Sequence, residues 1–177
     1  MTIHAPVRLL VRQRADFACE YCGVRETDAG GELTIDHFRP STRGGTDAPD
    51  NLLYCCQRCN GYKGAYWPAV AHEPDLWNPR REPRATHLLP LANGSLHPLT
   101  GVGAFTIGRL RLNRSPLVAQ RRQRQGRAEE RQLVAQYRAT VDLLERLTRQ
   151  QAALLAEQQA SLEEQRLLLR ALLDESD

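Results

Sequence analysis

"ELTIDHFRPSTRGGTDAPDNLLYCCQRCNGYKGAYW", residues 32–67, gathers an Asp-His pair, a Gly-Gly turn, two asparagines and a Cys-x-x-Cys within one short segment. The run "LTIDHF" alternates as a strand does, with Leu33, Ile35 and His37 on one side and Thr34, Asp36 and Phe38 on the other. Gly44 and Gly45 supply a turn, Asn51 opens the next element, and Asn60 directly follows the last cysteine. Upstream lies Cys19-x-x-Cys22, which pairs with Cys56-x-x-Cys59 across a stretch able to loop back. Two such knuckles form the spacing of tetrahedral thiolate zinc, and with no export signal in the chain a disulfide framework is the weaker alternative. Cys55 is left over: it either replaces Cys56 or is a buried free thiol.

Taken in order, Cys19, Cys22, Asp36, His37, Gly44, Gly45, Asn51, Leu52, Cys56, Cys59, Asn60 and Lys63 closely resemble the HNH, or ββα-metal, endonuclease family in its four-cysteine, zinc-containing branch. The resemblance covers residues 5–67. It implies a small α+β domain stapled by structural Zn²⁺, with Asp36 and Asn60 as ligands of a catalytic divalent ion, His37 as general base, and Asn51 orienting the base or bracing its loop. Asn60 stands where many family members carry histidine, which bears on the metal preference.

The residue chemistry agrees with those roles. Phosphodiester hydrolysis needs an activated water, neutralised phosphate oxygens and a stabilised leaving oxygen, and a hard cation serves the last two. A carboxylate and an amide oxygen suit Mg²⁺, or a substitute such as Mn²⁺ or Ni²⁺, and imidazole accepts a proton near neutral pH. A regular strand sends Asp36 and His37 to opposite sides, so one cleft for both requires a bend. Singly, each residue has a plainer use: the Asp-His pair as a surface hydrogen bond, Asn51 as a helix cap, Asn60 as a left-handed residue.

Charge divides the chain. Residues 128–177 hold six arginines and ten acids, a net −4, which leaves +7 for residues 1–127 out of the total of +3. Lys63 is the only lysine. Between residues 104 and 127 lie Arg109, Arg111, Arg114, Arg121, Arg122, Arg124 and Arg127 with no acid among them. With Lys63, Arg39 and Arg43 they form a candidate surface for double-stranded DNA, bound in a salt-dependent way; the alternative is a solvated basic face.

Three segments follow: 1–67, the zinc-stapled nuclease core beginning with a short helix from Pro6 to about Arg14 with Val7, Leu10 and Val11 along one face; 68–114, a loop-rich segment with a short basic helix; and 115–177, one long helix expected to form a coiled coil. Ser115-Pro116 is a helix start, and no proline follows it. Val134, Tyr137, Val141, Leu144, Leu155, Leu162, Leu169 and Leu172 form a heptad seam with Thr148, Gln151, Gln158 and Gln165 at its polar positions. That pattern predicts a coiled coil, with a second copy of the chain or with another protein; a solvated helix is the alternative. No apolar run approaches a membrane span, and the arginine-rich N-terminus lacks the apolar core of a secretory signal, so a cytoplasmic protein without a membrane partner is expected. The reading as a whole is a metal-dependent DNA endonuclease, with prokaryotic restriction or antiviral defence as the setting. The competing reading is a non-catalytic zinc module that binds nucleic acid or scaffolds partners through its coil.

Overall fold

The computed structural model describes residues 3–70 and 72–174, with side chains up to residue 170. Two compact units are present, Met1–Gln125 and Gly126–Asp177.

The first unit opens with α1 (Ala5–Arg14), started by Pro6 in its first turn. Val11 is buried and Val7 packs beside the core, whereas Leu10 is about half exposed. After the first knuckle and the short α2 (Glu26–Ala29), β1 (Thr34–His37) pairs antiparallel with β2 (Leu52–Cys55), setting Asp36 opposite Leu53 and His37 opposite Leu52. The intervening loop closes tightly. A Cβ on Gly45 would stand 1.8 Å from the Arg39 carbonyl oxygen, so only glycine fits there. Cys56 then caps α3 (Gln57–Lys63), its Sγ accepting from the Cys59 amide at 3.5 Å. The sequence β1–β2–α3 is a ββα motif.

Residues 68–114 are more structured than the loops expected of them. They contain α4 (Arg84–His87), a hairpin of β3 (Leu88–Pro90) and β4 (Leu96–Pro98), and α5 (Gly101–Arg109). Pro90 and Pro98 each lie in a two-stranded hairpin, where both strands are edges and a missing donor is tolerated. Asn93-Gly94 provides the turn, with Leu91 and Ser95 bonded across it at 2.9 Å. Thr100 caps α5 by accepting from Gly103 at 3.0 Å.

This segment is part of the core rather than a cover over it. Trp77 meets Tyr21 edge-to-face at 6.2 Å, and Leu88, Leu96, Leu110, Leu112 and Leu117 join Val11, Leu52 and Leu53 in one buried cluster. The cluster therefore spans the expected boundary at residue 67. α6 (Ser115–Asp174) begins in the first unit, and residues 126–174 of it make up the described part of the second. No helix among the described residues is long and apolar enough to cross a membrane.

Candidate active site and metal centre

The two knuckles converge. Cys19, Cys22, Cys56 and Cys59 are all buried, and their sulfur atoms lie within 4.8 Å of one another. Zn–S bonds of about 2.3 Å in a tetrahedron separate sulfurs by about 3.8 Å, and Cys22 and Cys56 stand 3.7 Å apart. The donor set and spacing fit structural zinc, and none of the five cysteines forms a disulfide. Hydrogen bonds from Cys22 and the other thiols hold Cys19 well below the usual thiol range. Cys55 lies outside the quartet as a buried thiol, pushed up by its bond to Cys19 and by desolvation.

β1 carries the polar candidates in two directions. On the face it turns toward α3, the buried Asp36 Oδ2 lies 3.0 Å from Lys63 Nζ as an ion pair. Burial pushes the Asp36 carboxyl up, against the pull of the Lys63 ammonium. Lys63 is wholly buried and also donates to the His37 carbonyl at 2.6 Å. It ties the end of β1 to α3 instead of presenting its charge to a nucleic acid. One helical turn earlier, the Asn60 Nδ2 reaches the Thr34 Oγ1 at 3.4 Å. Thr34 and Asp36 share a face of β1, so Asn60 and Asp36 border the same β1–α3 seam.

His37 leaves the strand the other way. Its Nε2 lies 2.7 Å from the Asp47 Oδ1, in the loop beyond the Gly-Gly turn. Pairing with β2 continues in register through His37. Asp47 was not singled out in the sequence; its only signal was being the first carboxylate after Gly44-Gly45. Asn51 braces this loop: its Oδ1 accepts from the Arg39 amide at 2.8 Å, and its Nδ2 donates to the carbonyls of Thr46 at 2.8 Å and Arg39 at 3.1 Å. It makes no hydrogen bond to His37 among the described residues.

Residues 19–65 match the model of the HNH endonuclease family. The buried cysteine quartet inside this span is the mark of the zinc-binding HNH variant. No curated protein and no solved structure matches the chain. Nucleic-acid binding is a general property of the HNH family, and the arginines expected to serve it are divided by the fold. Arg114, Arg121 and Arg124 are half-buried. Arg114 bonds the Leu110 carbonyl at 3.2 Å and approaches the Cys59 sulfur at 4.0 Å, Arg121 bonds the carbonyls of Gly94 and Leu112, and Arg124 bonds the Gly23 carbonyl at 2.7 Å and pairs with Asp28. Arg109 and Arg111 are exposed, with guanidinium carbons 4.6 Å from the Tyr66 and 4.9 Å from the Tyr62 ring centroids, and Arg122 and Arg43 are exposed as well. Arg39 lies over Trp67 at 5.2 Å and donates Nε to the Arg43 carbonyl at 2.6 Å. Besides the four cysteines, no group of three or more His, Cys, Asp or Glu side chains converges among the described residues.

Proposed function

We propose that the chain is a metal-dependent endonuclease that hydrolyses DNA phosphodiester bonds, with His37 as general base. The observation that carries this reading is the His37–Asp47 pair at 2.7 Å within the residues that match the HNH family. An ionised carboxylate only accepts, so Nε2 carries the proton and Nδ1 holds the lone pair that takes a proton from water. Asp47 orients the ring and stabilises the imidazolium that forms. Asn51 holds the loop that carries Asp47.

The buried Asp36 carboxylate, which already faces Lys63, and the amide oxygen of Asn60 along the same seam form a donor pair suited to Mg²⁺, Mn²⁺ or Ni²⁺. A cation held there would neutralise phosphate charge and stabilise the leaving oxygen. Lys63, by pairing with Asp36, fixes the carboxylate against α3. The segmentation 1–67, 68–114 and 115–177 becomes, in this reading, a catalytic core, a buttress that shares its hydrophobic centre, and an assembly helix forming a coiled coil with a second copy. Restriction or antiviral defence in a prokaryotic cytoplasm is the setting in which such an enzyme belongs.

Supercoiled plasmid incubated with purified protein and Mg²⁺, Mn²⁺ or Ni²⁺ tests the reading. Nicked or linear product is expected from the native chain and none from His37→Ala, with zinc content unchanged. Cleavage by His37→Ala at the native rate would remove the base, and DNA binding without any cleavage by the native chain would favour the scaffold reading.

A further inference from the structure

A recess of about 560 Å³ opens beside the loop that carries Asp47. Its lining includes Phe38, Arg39, Trp67, Asn78 and Arg81, with Thr46 and Ala48 bringing it next to the carboxylate that holds His37. Trp67 stands edge-to-face with Phe38 at 5.9 Å and carries the Arg39 guanidinium over its ring. Arg39 is fixed there by its Nε bond to Arg43 and its backbone bond to Asn51, and its terminal nitrogens make no hydrogen bond among the described residues. Asn78 is nine-tenths buried; its Oδ1 accepts from the Arg80 amide at 2.9 Å, and its Nδ2 has no acceptor among the described residues. Arg80 is neutralised by Glu20, while Arg81 is exposed without an acidic partner among the described residues.

A phosphate alone needs guanidinium groups and little depth. This recess instead combines an aromatic and guanidinium stack, a buried amide donor and, in Asp50 at its edge, a carboxylate acceptor. Planar stacking surfaces with one donor and one acceptor suit a nucleobase, and its volume lies in the range of small-ligand sites. We propose that the recess receives an unstacked nucleobase, so that the preferred substrate is DNA with an unpaired nucleotide close to the cut phosphodiester. The inference rests on the nuclease reading and narrows its substrate class.

The test is binding by fluorescence anisotropy without added divalent cation, using three duplexes of one sequence: uninterrupted, with a single bulged nucleotide, and with an abasic residue in the bulge. The bulged base should bind about tenfold more tightly than the abasic bulge, the order that stacking on an aromatic ring supplies. Trp67→Leu should abolish that preference. Arg81→Ala, at an exposed position, should reduce it severalfold while zinc content and near-ultraviolet circular dichroism stay native. Equal binding of all three duplexes, or a preference untouched by Arg81→Ala, would overturn the recess and leave the nuclease reading intact. Binding of none of them would overturn both.

Discussion

The two units use the same residue types in opposite ways. In the first, Leu52, Leu53, Leu88, Leu110 and Leu112 are shut away from water, and arginines such as Arg12, Arg121 and Arg124 end on carboxylates or backbone carbonyls. In the second, Leu133 and Leu167 are about two-thirds exposed, Leu144, Leu155, Leu162 and Leu169 are more than half exposed, and the one ion pair among its described residues joins Arg149 to Glu145 on the same helix. Burial therefore does not follow from composition. It follows from whether the pattern can close on itself: hairpins, knuckles and short helices fold back, whereas an uninterrupted helix needs packing from elsewhere. No coiled-coil partner is among the described contacts of residues 126–174, and the Leu172 of the expected seam lies outside the described side chains.

The largest expected effect is at the cysteine quartet of the first unit, whose spacing fits zinc. Structural zinc in small domains supplies about 10–16 kcal/mol of apparent binding free energy, comparable with or above the whole stability of a typical domain. Cys59→Ser, or removal of zinc by a chelator, should therefore abolish the near-ultraviolet dichroism of Tyr21 and Trp77 while much of the far-ultraviolet helical signal survives. A native near-ultraviolet spectrum in zinc-free protein would show that the first unit closes without the ion.

The second effect concerns the unit that does not close. Full burial of a leucine side chain is worth about 1.5–3 kcal/mol, so covering the stripe from Leu144 to Leu169 would easily sustain assembly. The intact chain should be an oligomer by light scattering, and truncation after Arg127 should yield a monomer. If that assembly aligns two sites, the intact chain linearises plasmid and the truncated one mainly nicks it. A monomeric intact chain would assign the stripe to a different protein, and equal linearisation by both would sever assembly from double-strand cutting.

These expectations also mark where sequence reading worked. The cysteine quartet and the strand β1 were legible because their signals are local, two-residue spacings and alternation, whereas the ββα motif came only with the family resemblance. The partner of His37 was not, because Asp47 reaches it across a loop whose path depends on Asn51 and on the contact that only glycine permits at Gly45. Nor was the burial of Lys63: a lone lysine in a basic chain reads as a phosphate contact until α3 is seen packed on β1. The arginine run was legible only in part for a related reason, since charge does not reveal whether a guanidinium meets solvent or a carbonyl.

Asn51 permits a third, smaller test of how tightly the first unit closes. Its three hydrogen bonds should each contribute about 1 kcal/mol net, so Asn51→Ala should cost about 2–3 kcal/mol in denaturant unfolding, with cleavage falling further because the Asp47 loop loosens. Unchanged stability would mean that the Gly-Gly loop holds its path without the amide.

The smallest effects compare charge pairs of the two units directly. In the first, Arg12 grips Glu26 through two bonds of 2.6 and 2.7 Å, and the Tyr54 hydroxyl adds a third to the same carboxylate. The hydrogen bond from Arg12 is the main reason the Glu26 carboxyl is lowered below its ordinary value. A lowered folded-state value means that the fold favours the charged form. The associated stability is present above the ordinary glutamate range and is lost as pH falls through the lowered value. Glu26→Gln should therefore flatten part of the acid limb of the stability curve while changing little at very low pH, where the native carboxyl is protonated too. In the second unit, Glu145 and Arg149 stand 3.7 Å apart with both side chains largely exposed. Such an i,i+4 pair is worth about 0.3–0.5 kcal/mol and is screened by salt. Glu145→Gln should change helicity by no more than that, and not at all in molar salt. Thermal melts of both variants from pH 3 to 7, at low and high salt, read the difference. An acid limb unaltered by Glu26→Gln would break the contrast between a unit that holds its charges inside and one that leaves them in water.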